Sequence, residues 1–216
     1  MDHTTILVPV SDRDLEKPLH LPDYVKLVLV LDTNGPTPWQ YCNPPDNMTV
    51  LAPGKVGLSK ALKIGLDACT TEYVARHDAD DWSHPERFAV QERFLHNNTD
   101  VVMCATQAIR YFHAENKTYI GPKFRWFPIT QMKHWRNPFI HGSVMFRRGS
   151  ALAAGGYDPN IRFSQDADLW FRLTRFGRCV ILPEVLYCVN YHPGQISAKH
   201  KDEQRMWFRS IQRRYQ

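Results

Sequence analysis

Thr5 to Val10 is a short apolar run ending on Pro9 and Val10, and Val25 to Leu31 is a second one broken only by Lys26. Neither alternates polar with apolar residues, so both predict strands covered on both faces, as in a parallel sheet. Asp32-Thr33-Asn34-Gly35-Pro36 then supplies turn chemistry. The stretch from Pro36 to Pro53, rich in Pro and Asn, predicts irregular structure. Leu58, Ala61, Leu62, Gly65 and Leu66 recur at helical spacing, and Tyr73 to His77 predicts a third strand. Ser83-His84-Pro85-Glu86 predicts a helix start, with Ser83 as the cap, Pro85 in the first turn and Glu86 closing a capping box. That helix is expected to reach about Asn97, and Val101 to Ala105 to form the next strand.

The second half is aromatic and basic. Phe124 to Phe127 and His134 to Arg136 predict a variable surface segment, and His141 to Phe146 a return to strand. Gly155-Gly156-Tyr157-Asp158 predicts a turn, Ala167 to Phe176 a helix with Leu169, Trp170 and Leu173 on its apolar face, and Cys179 to Leu182 a strand. Alternating strands and helices predict an α/β fold around a mostly parallel sheet flanked by helices. Ligands of such sheets sit at the carboxyl ends of the strands. Asp12, Asp32 and Asp78 to Asp81 follow the first three strands, so all are expected to line one crevice.

The length of 216 residues suits one domain. It is expected to comprise a nucleotide-binding half over 1–105, an acceptor and catalytic half over 106–200 and a basic tail over 201–216. A hydrophobic content of 43% with 23% charged residues is that of an ordinary globular protein, and no apolar run is long enough to span a membrane. Met1-Asp2-His3-Thr4 lacks the basic-then-apolar pattern of a signal peptide. Five cysteines without a C-x-x-C pair predict reduced thiols, so a cytoplasmic setting is expected. The net charge of +5 favours anionic partners, yet much of the excess lies between Lys199 and Arg214. No nucleic-acid motif accompanies it, and no nucleic-acid partner is expected. The basic segment Asp202 to Tyr215, interleaved with Trp207, Phe208 and Tyr215 and lacking a clean apolar stripe, is either a surface for anionic membranes or a helix packed on the domain edge.

Asp78-Ala79-Asp80-Asp81 is the most informative stretch. Three carboxylates at a strand end repel one another unless a cation sits there, and Mg2+ or Mn2+ held by few carboxylates keeps sites open for phosphate oxygens. In an extended segment Asp78 and Asp80 would point to the same side. The alternative is an acidic turn that caps the helix after Ser83.

The motifs in order are Ile6-Leu7-Val8-Pro9-Val10-Ser11, Val28 to Asp32, Gly57-Leu58-Ser59-Lys60-Ala61, Glu72 to Asp81, His141 to Arg147, Gly155 to Asp158, Gln165 to Trp170, Leu182-Pro183-Glu184 and His192 to Ser197. In this arrangement the chain resembles the inverting glycosyltransferases of family 2, which have the GT-A fold, over nearly its whole length. Within that family the likeness extends to the N-terminal domain of a chlorovirus glycosyltransferase, which implies a growing viral glycan as acceptor. The resemblance implies transfer of a hexosyl or deoxyhexosyl unit from a nucleotide sugar, a UDP-sugar first, to a glycan hydroxyl with Mn2+ or Mg2+ as cofactor.

It implies roles as well. Asp80 would be the direct metal ligand and Asp78 its helper at the ribose or beside the metal. Asp81 either shares in this or starts the next helix. Asp166 would be the general base, with Gln165 where the family has an acid, and Asp168 is the fallback. A carboxylate at a helix start is also what a plain N-cap would be. Main-chain groups of Pro9 and Val10, with Asp12 or Asp32, would meet the uridine, and Lys55 or Lys60 the diphosphate unless they are solvated. His192 would complete the metal or diphosphate site or be a surface histidine. His141 and Gly142 would line the acceptor pocket, and His77 is a strand residue. A sugar-nucleotide pyrophosphorylase should carry a Gly-rich loop after the first strand, and Ser11-Asp12-Arg13-Asp14 has no glycine. A phosphatase would place its D-x-D after the first strand rather than the third, and a non-catalytic sugar-binding module would not need Asp78, Asp80 and Asp166 together.

Overall fold

The two apolar runs of the first half lie side by side in one sheet, paired in parallel from Thr5 opposite Lys26 to Ser11 opposite Asp32. The computed structural model describes residues 3–14, 21–36, 38, 41–112, 117–121 and 137–215. The expected segments at Phe124 to Phe127 and His134 to Arg136 lie outside them. In chain order the strands are β1 (Thr4–Ser11), β2 (Lys26–Asp32), β3 (Met48–Leu51), β4 (Tyr73–Arg76), β5 (Trp82–Ser83), β6 (Val101–Phe112), β7 (Lys117–Gly121), β8 (Val144–Arg147) and β9 (Arg178–Tyr191). The helices are α1 (Leu58–Ala68), α2 (Arg87–Asn97), α3 (Arg148–Ala153), α4 (Gln165–Leu173), α5 (Ile196–Lys199) and α6 (Lys201–Arg214).

The sheet order is β3-β2-β1-β4-β8-β6-β9-β5, with β7 on β6. Its first half, β3 to β4, is parallel as expected. β8 enters antiparallel to both β4 and β6, which makes the second half mixed. Successive residues of the central strands divide between two cores, because side chains alternate across a sheet. Leu7, Val28, Val30 and Val74 pack with α1, α4 and Ile211 of α6. Ile6, Val8, Val10, Leu29, Leu31 and Ala75 pack with Phe88 and Leu95 of α2. Both faces are therefore dry, which is why the strand sequences do not alternate.

Several local expectations change. Met48 to Leu51, inside the stretch read as irregular, extends the sheet by pairing with β2. Ser83 does not cap a helix. It belongs to β5, its Oγ lies 3.1 Å from His77 Nδ1, and α2 starts at Arg87 without a side-chain cap. The run from His141 begins as a 3-10 turn over His141–Ser143 before β8. Gly155 and Gly156 both take positive φ, as the predicted turn requires. The C-terminal segment does have an apolar stripe. Trp207, Phe208 and Tyr215 pack with Ile211 against the core, while Arg205, Arg209 and Arg213 stay exposed. All five cysteines are free. Among the described residues no helix is long and apolar enough to cross a membrane.

Candidate active site

β1, β2 and β4 run parallel and end at one edge of the sheet, so the segments that follow them converge. The pairing of Ser11 with Asp32 sets Asp12 beside the end of β2. Lys55 spans the two, 3.3 Å from Asp12 Oδ2 and 3.7 Å from Asp32 Oδ2, and donates to the Asp32 carbonyl at 2.7 Å. Asp32 Oδ1 accepts the backbone N–H groups of Val56 and Gly57 at 2.7 and 2.8 Å. One oxygen of Asp32 therefore holds the loop into α1. Asp12 is exposed, and the N–H of Asn34 and the nearby Lys55 hold its carboxyl below the usual range. Of the two candidate lysines Lys55 reaches this edge. Lys60 is exposed in the first turn of α1 and makes no hydrogen bond or ion pair among the described residues. Pro9, half-buried, and Val10, fully packed, lie at the end of β1.

The acidic stretch is a tight turn, not an extended segment: Asp81 N donates to Asp78 O at 3.1 Å. The turn sends the carboxylates to different partners. Asp78 Oδ1 lies 2.5 Å from Nη2 of the buried Arg76. Asp80 Oδ2 accepts from Arg13 Nη2 at 3.0 Å and lies 3.0 Å from His192 Nε2. Arg13 also reaches Asp14 and donates to the Gly194 carbonyl at 2.9 Å, so one guanidinium ties the end of β1, the acidic turn and the late loop together. The expectation that Asp81 starts a helix does not hold. Its oxygens accept from Tyr187 Oη at 2.6 Å and from the N–H of Asn190 at 2.9 Å, fastening the turn to β9. Burial, with the charge of Asp78 beside it, pushes the Asp81 carboxyl well above the usual range.

Gly142 is buried behind this turn. A Cβ there would sit 1.9 Å from Tyr187 Oη and 2.9 Å from Asp78 Oδ2. Gly142→Ala is expected to displace Tyr187 or Asp78. The cost should be about 1–3 kcal/mol of unfolding free energy, together with weaker nucleotide binding. Denaturant unfolding and UDP calorimetry on the variant measure both.

His141 lies 2.9 Å through Nε2 from Tyr157 Oη and packs edge-on to Trp170. Burial, then the positive Arg76 nearby, holds its pKa well below the usual value, so it is neutral. Asp166 occupies the first turn of α4. This helix begins after Ser164, the one non-glycine residue at positive φ among those described. Asp166 Oδ2 accepts from Asn137 Nδ2 at 2.6 Å. Burial pushes the Asp166 carboxyl up to about 6, with the charge of Asp78 adding to it. The N–H groups of Ala167 and Asp166 and the Asn137 amide hold it back. Asp168 is not part of this group. Two helical positions turn a side chain by about 200°. Asp168 is spent on Arg172 at 2.6 Å and Tyr215 at 2.9 Å beside α6.

Asp80 and His192 thus lie 3.0 Å apart although they are far apart in the chain, and Asp166 stands at the start of α4 beside Asn137. Arg13, Arg76, Asn137 and Tyr187 went unread. An arginine closing a buried strand just before an acidic turn was a usable signal for Arg76. Nothing local in the sequence marks Asn137 or Tyr187, because their partners lie on distant segments.

A sheet parallel in its first half, with acidic residues clustered at its carboxyl edge and a second carboxylate on a later helix, defines a GT-A fold of the nucleotide-sugar transferase type. The chain belongs to Glycosyl transferase family 2, whose profile matches residues 40–156. It is 35% identical over 133 residues to the amylovoran biosynthesis glycosyltransferase AmsE of Erwinia amylovora, covering 61% of this chain and 49% of that protein. It is 30% identical over 118 residues to the UDP-Gal:alpha-D-GlcNAc-diphosphoundecaprenol beta-1,3-galactosyltransferase of Escherichia coli, covering 54% of this chain and 42% of that one. The chain spans about half the length of the curated relatives it matches. Among solved structures it resembles S. aureus TarS 1-349 in complex with UDP-GlcNAc. The TM-score is 0.71 with 14% identity, over 98% of this chain and 65% of that one.

Proposed function

We propose that the chain carries out metal-dependent, inverting transfer of a hexosyl or deoxyhexosyl unit from a UDP-sugar to a glycan hydroxyl, with Asp166 as the general base. The observation that carries the reading is the acidic turn after β4, where Asp80 lies 3.0 Å from both Arg13 and His192, together with a second carboxylate, Asp166, held by Asn137 at the start of α4. Inverting transfer needs one base for the acceptor proton and a positive counter-charge for the leaving diphosphate. Similar proteins support the donor class, since one relative uses UDP-Gal and TarS was solved with UDP-GlcNAc. One relative acts on alpha-D-GlcNAc-diphosphoundecaprenol and another serves amylovoran biosynthesis, which supports a glycan acceptor.

Among the described residues no three His, Cys, Asp or Glu side chains converge as a complete metal site. The donors present nevertheless fit a divalent ion that shares its sphere with a diphosphate. Asp80 supplies a carboxylate oxygen and His192 an imidazole nitrogen 3.0 Å away; a bound ion would take the place of Arg13 and of the His192 Nε2–H at Asp80 Oδ2, since His192 Nδ1 accepts the Gly194 N–H. Asp80 and His192 would hold Mn2+ or Mg2+, with Asp78 beside them at the ribose. When bound, the ion neutralises the departing diphosphate. Pro9 and Val10 would frame the uridine through their main chain, with Asp12 at the uracil and Lys55 at the diphosphate. His141, neutral and fixed by Tyr157, would position the acceptor. The free thiols suit a cytoplasmic setting. The exposed arginines of α6 are the surface that would meet anionic lipid.

Screening UDP-sugars, UDP-GlcNAc and UDP-galactose first, for Mn2+-dependent hydrolysis tests the activity. Asp80→Ala should weaken UDP binding in the presence of Mn2+ by at least about tenfold and leave metal-free binding unchanged. Equal calorimetric affinities with and without Asp80 would remove it from the metal site.

A further inference from the structure

We propose that Asn137 is a positioning residue that holds the Asp166 carboxylate in one orientation for proton abstraction; this rests on the reading of Asp166 as the base. Asn137 Nδ2 donates to Asp166 Oδ2 at 2.6 Å, while Asn137 Oδ1 accepts the backbone N–H of Phe139 at 3.1 Å. The second bond settles the direction of the first. A backbone N–H only donates, so the amide oxygen must face Phe139 and the NH2 group must face Asp166. The amide therefore favours the ionised carboxylate that a base requires.

The backbone around Asn137 makes this contact rigid. Asn137 precedes Pro138, which restricts it to extended conformations. Phe139 is buried and lies edge-on to Trp170, with ring centroids 6.5 Å apart. Trp170 stands one turn beyond Asp166 on α4. One three-residue segment thus grips the helix twice, through an apolar ring and through the carboxylate itself. Asn137 cannot drift from Asp166 without also pulling Phe139 out of the core.

The other groups facing Asp166 do not offer the same support. Asp78, after β4, repels its charge, and Tyr157 is the nearby phenol whose own ionisation Asp166 opposes. The remaining donors are the N–H groups of Asp166 and Ala167 in its own helix, which no side-chain substitution removes. Among the described residues Asn137 is therefore the one side chain outside α4 that donates to this carboxylate.

Asn137→Asp keeps the volume and the acceptor for the Phe139 N–H but replaces the donor with a like charge, and Asn137→Ala removes both contacts. In Mn2+-dependent hydrolysis of UDP-GlcNAc or UDP-galactose, both variants should lose about 10- to 100-fold in kcat with the donor KM within about twofold. Carbon-detected NMR titration of the Asp166 carboxyl, identified by its absence in Asp166→Asn, should show the midpoint rising by about one pH unit. That readout needs no turnover, and in Asn137→Ala, which adds no charge, a rise reports the loss of the amide hydrogen bond alone. An unchanged Asp166 midpoint in the folded Asn137→Asp protein overturns the proposal. So does an unchanged kcat in a protein whose Asp166→Asn variant is inactive. Wild-type turnover by Asp166→Asn removes the base reading instead and leaves the Asn137 contact to be judged by the titration.

Discussion

Asp166→Asn is expected to reduce transfer by about 10²- to 10⁴-fold while leaving the affinity for UDP within about twofold. The amide is close in size to the carboxylate and can still meet Asn137, but it cannot take a proton. The nucleotide contacts proposed at Pro9, Val10, Asp12 and Asp80 lie on other segments and should not change. Pairing a steady-state assay with UDP calorimetry separates the two effects. Retained turnover would reassign the base, and Asp168 could not inherit the role, since Arg172 and Tyr215 occupy it.

The raised pKa gives this prediction a pH form. With the Asp166 carboxyl at about 6, transfer by the wild type should fall as pH drops through that value, because the base is then protonated. Stability runs the other way. The native carboxyl binds its proton more tightly than the unfolded one, whose value is 3.8. Between about 4 and about 6 the native state therefore carries more protons, and its stability declines as pH rises. Above that window the buried charge remains a cost that Asp166→Asn removes. The variant should unfold at an equal or higher temperature than the wild type at pH 7, which a pair of thermal melts at pH 5 and pH 7 would reveal.

Arg87→Ala should be the most damaging substitution to stability, costing about 3 kcal/mol or more. Arg87 is fully buried in the first turn of α2 and uses its whole guanidinium. It donates to Gln91 Oε1 at 3.0 Å, Ser83 Oγ at 2.9 Å, the Arg76 carbonyl at 2.8 Å and the Val144 carbonyl at 3.2 Å. Its face also lies over Phe88 and Tyr187, at 5.0 and 4.9 Å from the ring centroids. Burial pushes its pKa down to about 10, yet it stays charged at neutral pH. Truncation would open a cavity and strand two carbonyls where β4 meets β8, under the acidic turn. Chemical denaturation should show a lower midpoint with an unchanged slope. A midpoint within about 0.5 kcal/mol of wild type would mean that water replaces these bonds. Arg87→Lys is expected to recover part of the loss, because an ammonium can reach some of these acceptors but has no planar fork.

The paired strands β1 and β2, helix α1 and the acidic cluster were legible in the chain because their signals are local, whereas Asp166, locally a plain N-cap, stood out only through the family resemblance. Apolar runs of fixed length, helical spacing at Leu58 to Leu66 and carboxylates crowded into four positions each depend on neighbouring residues. Helix boundaries were less legible. Ser83-His84-Pro85-Glu86 has the composition of a capping box, but Ser83 is drawn into β5 by its pairing with Tyr187 on β9, and a distant strand outcompetes the local cap. β3 was missed for a similar reason, since Met48 to Leu51 is strand only because β2 offers it an edge.

The sequence alone determined which chemical groups this protein has at its disposal and the side of the sheet on which they emerge. The position at the end of a parallel strand follows from chain order and right-handed crossovers. Only the tertiary structure decided how those groups are shared out. It gave Asp80 to Arg13 and His192, Asp81 to Tyr187 and Asn190, and Asp168 to Arg172 and Tyr215, and it left Asp166 to Asn137. Apart from Asp168 with Arg172, one turn apart on the same helix, each assignment joins segments remote in sequence through a contact of about 3 Å or less. A carboxylate carries no local sign of which distant donor will reach it, because that depends on packing across the whole sheet.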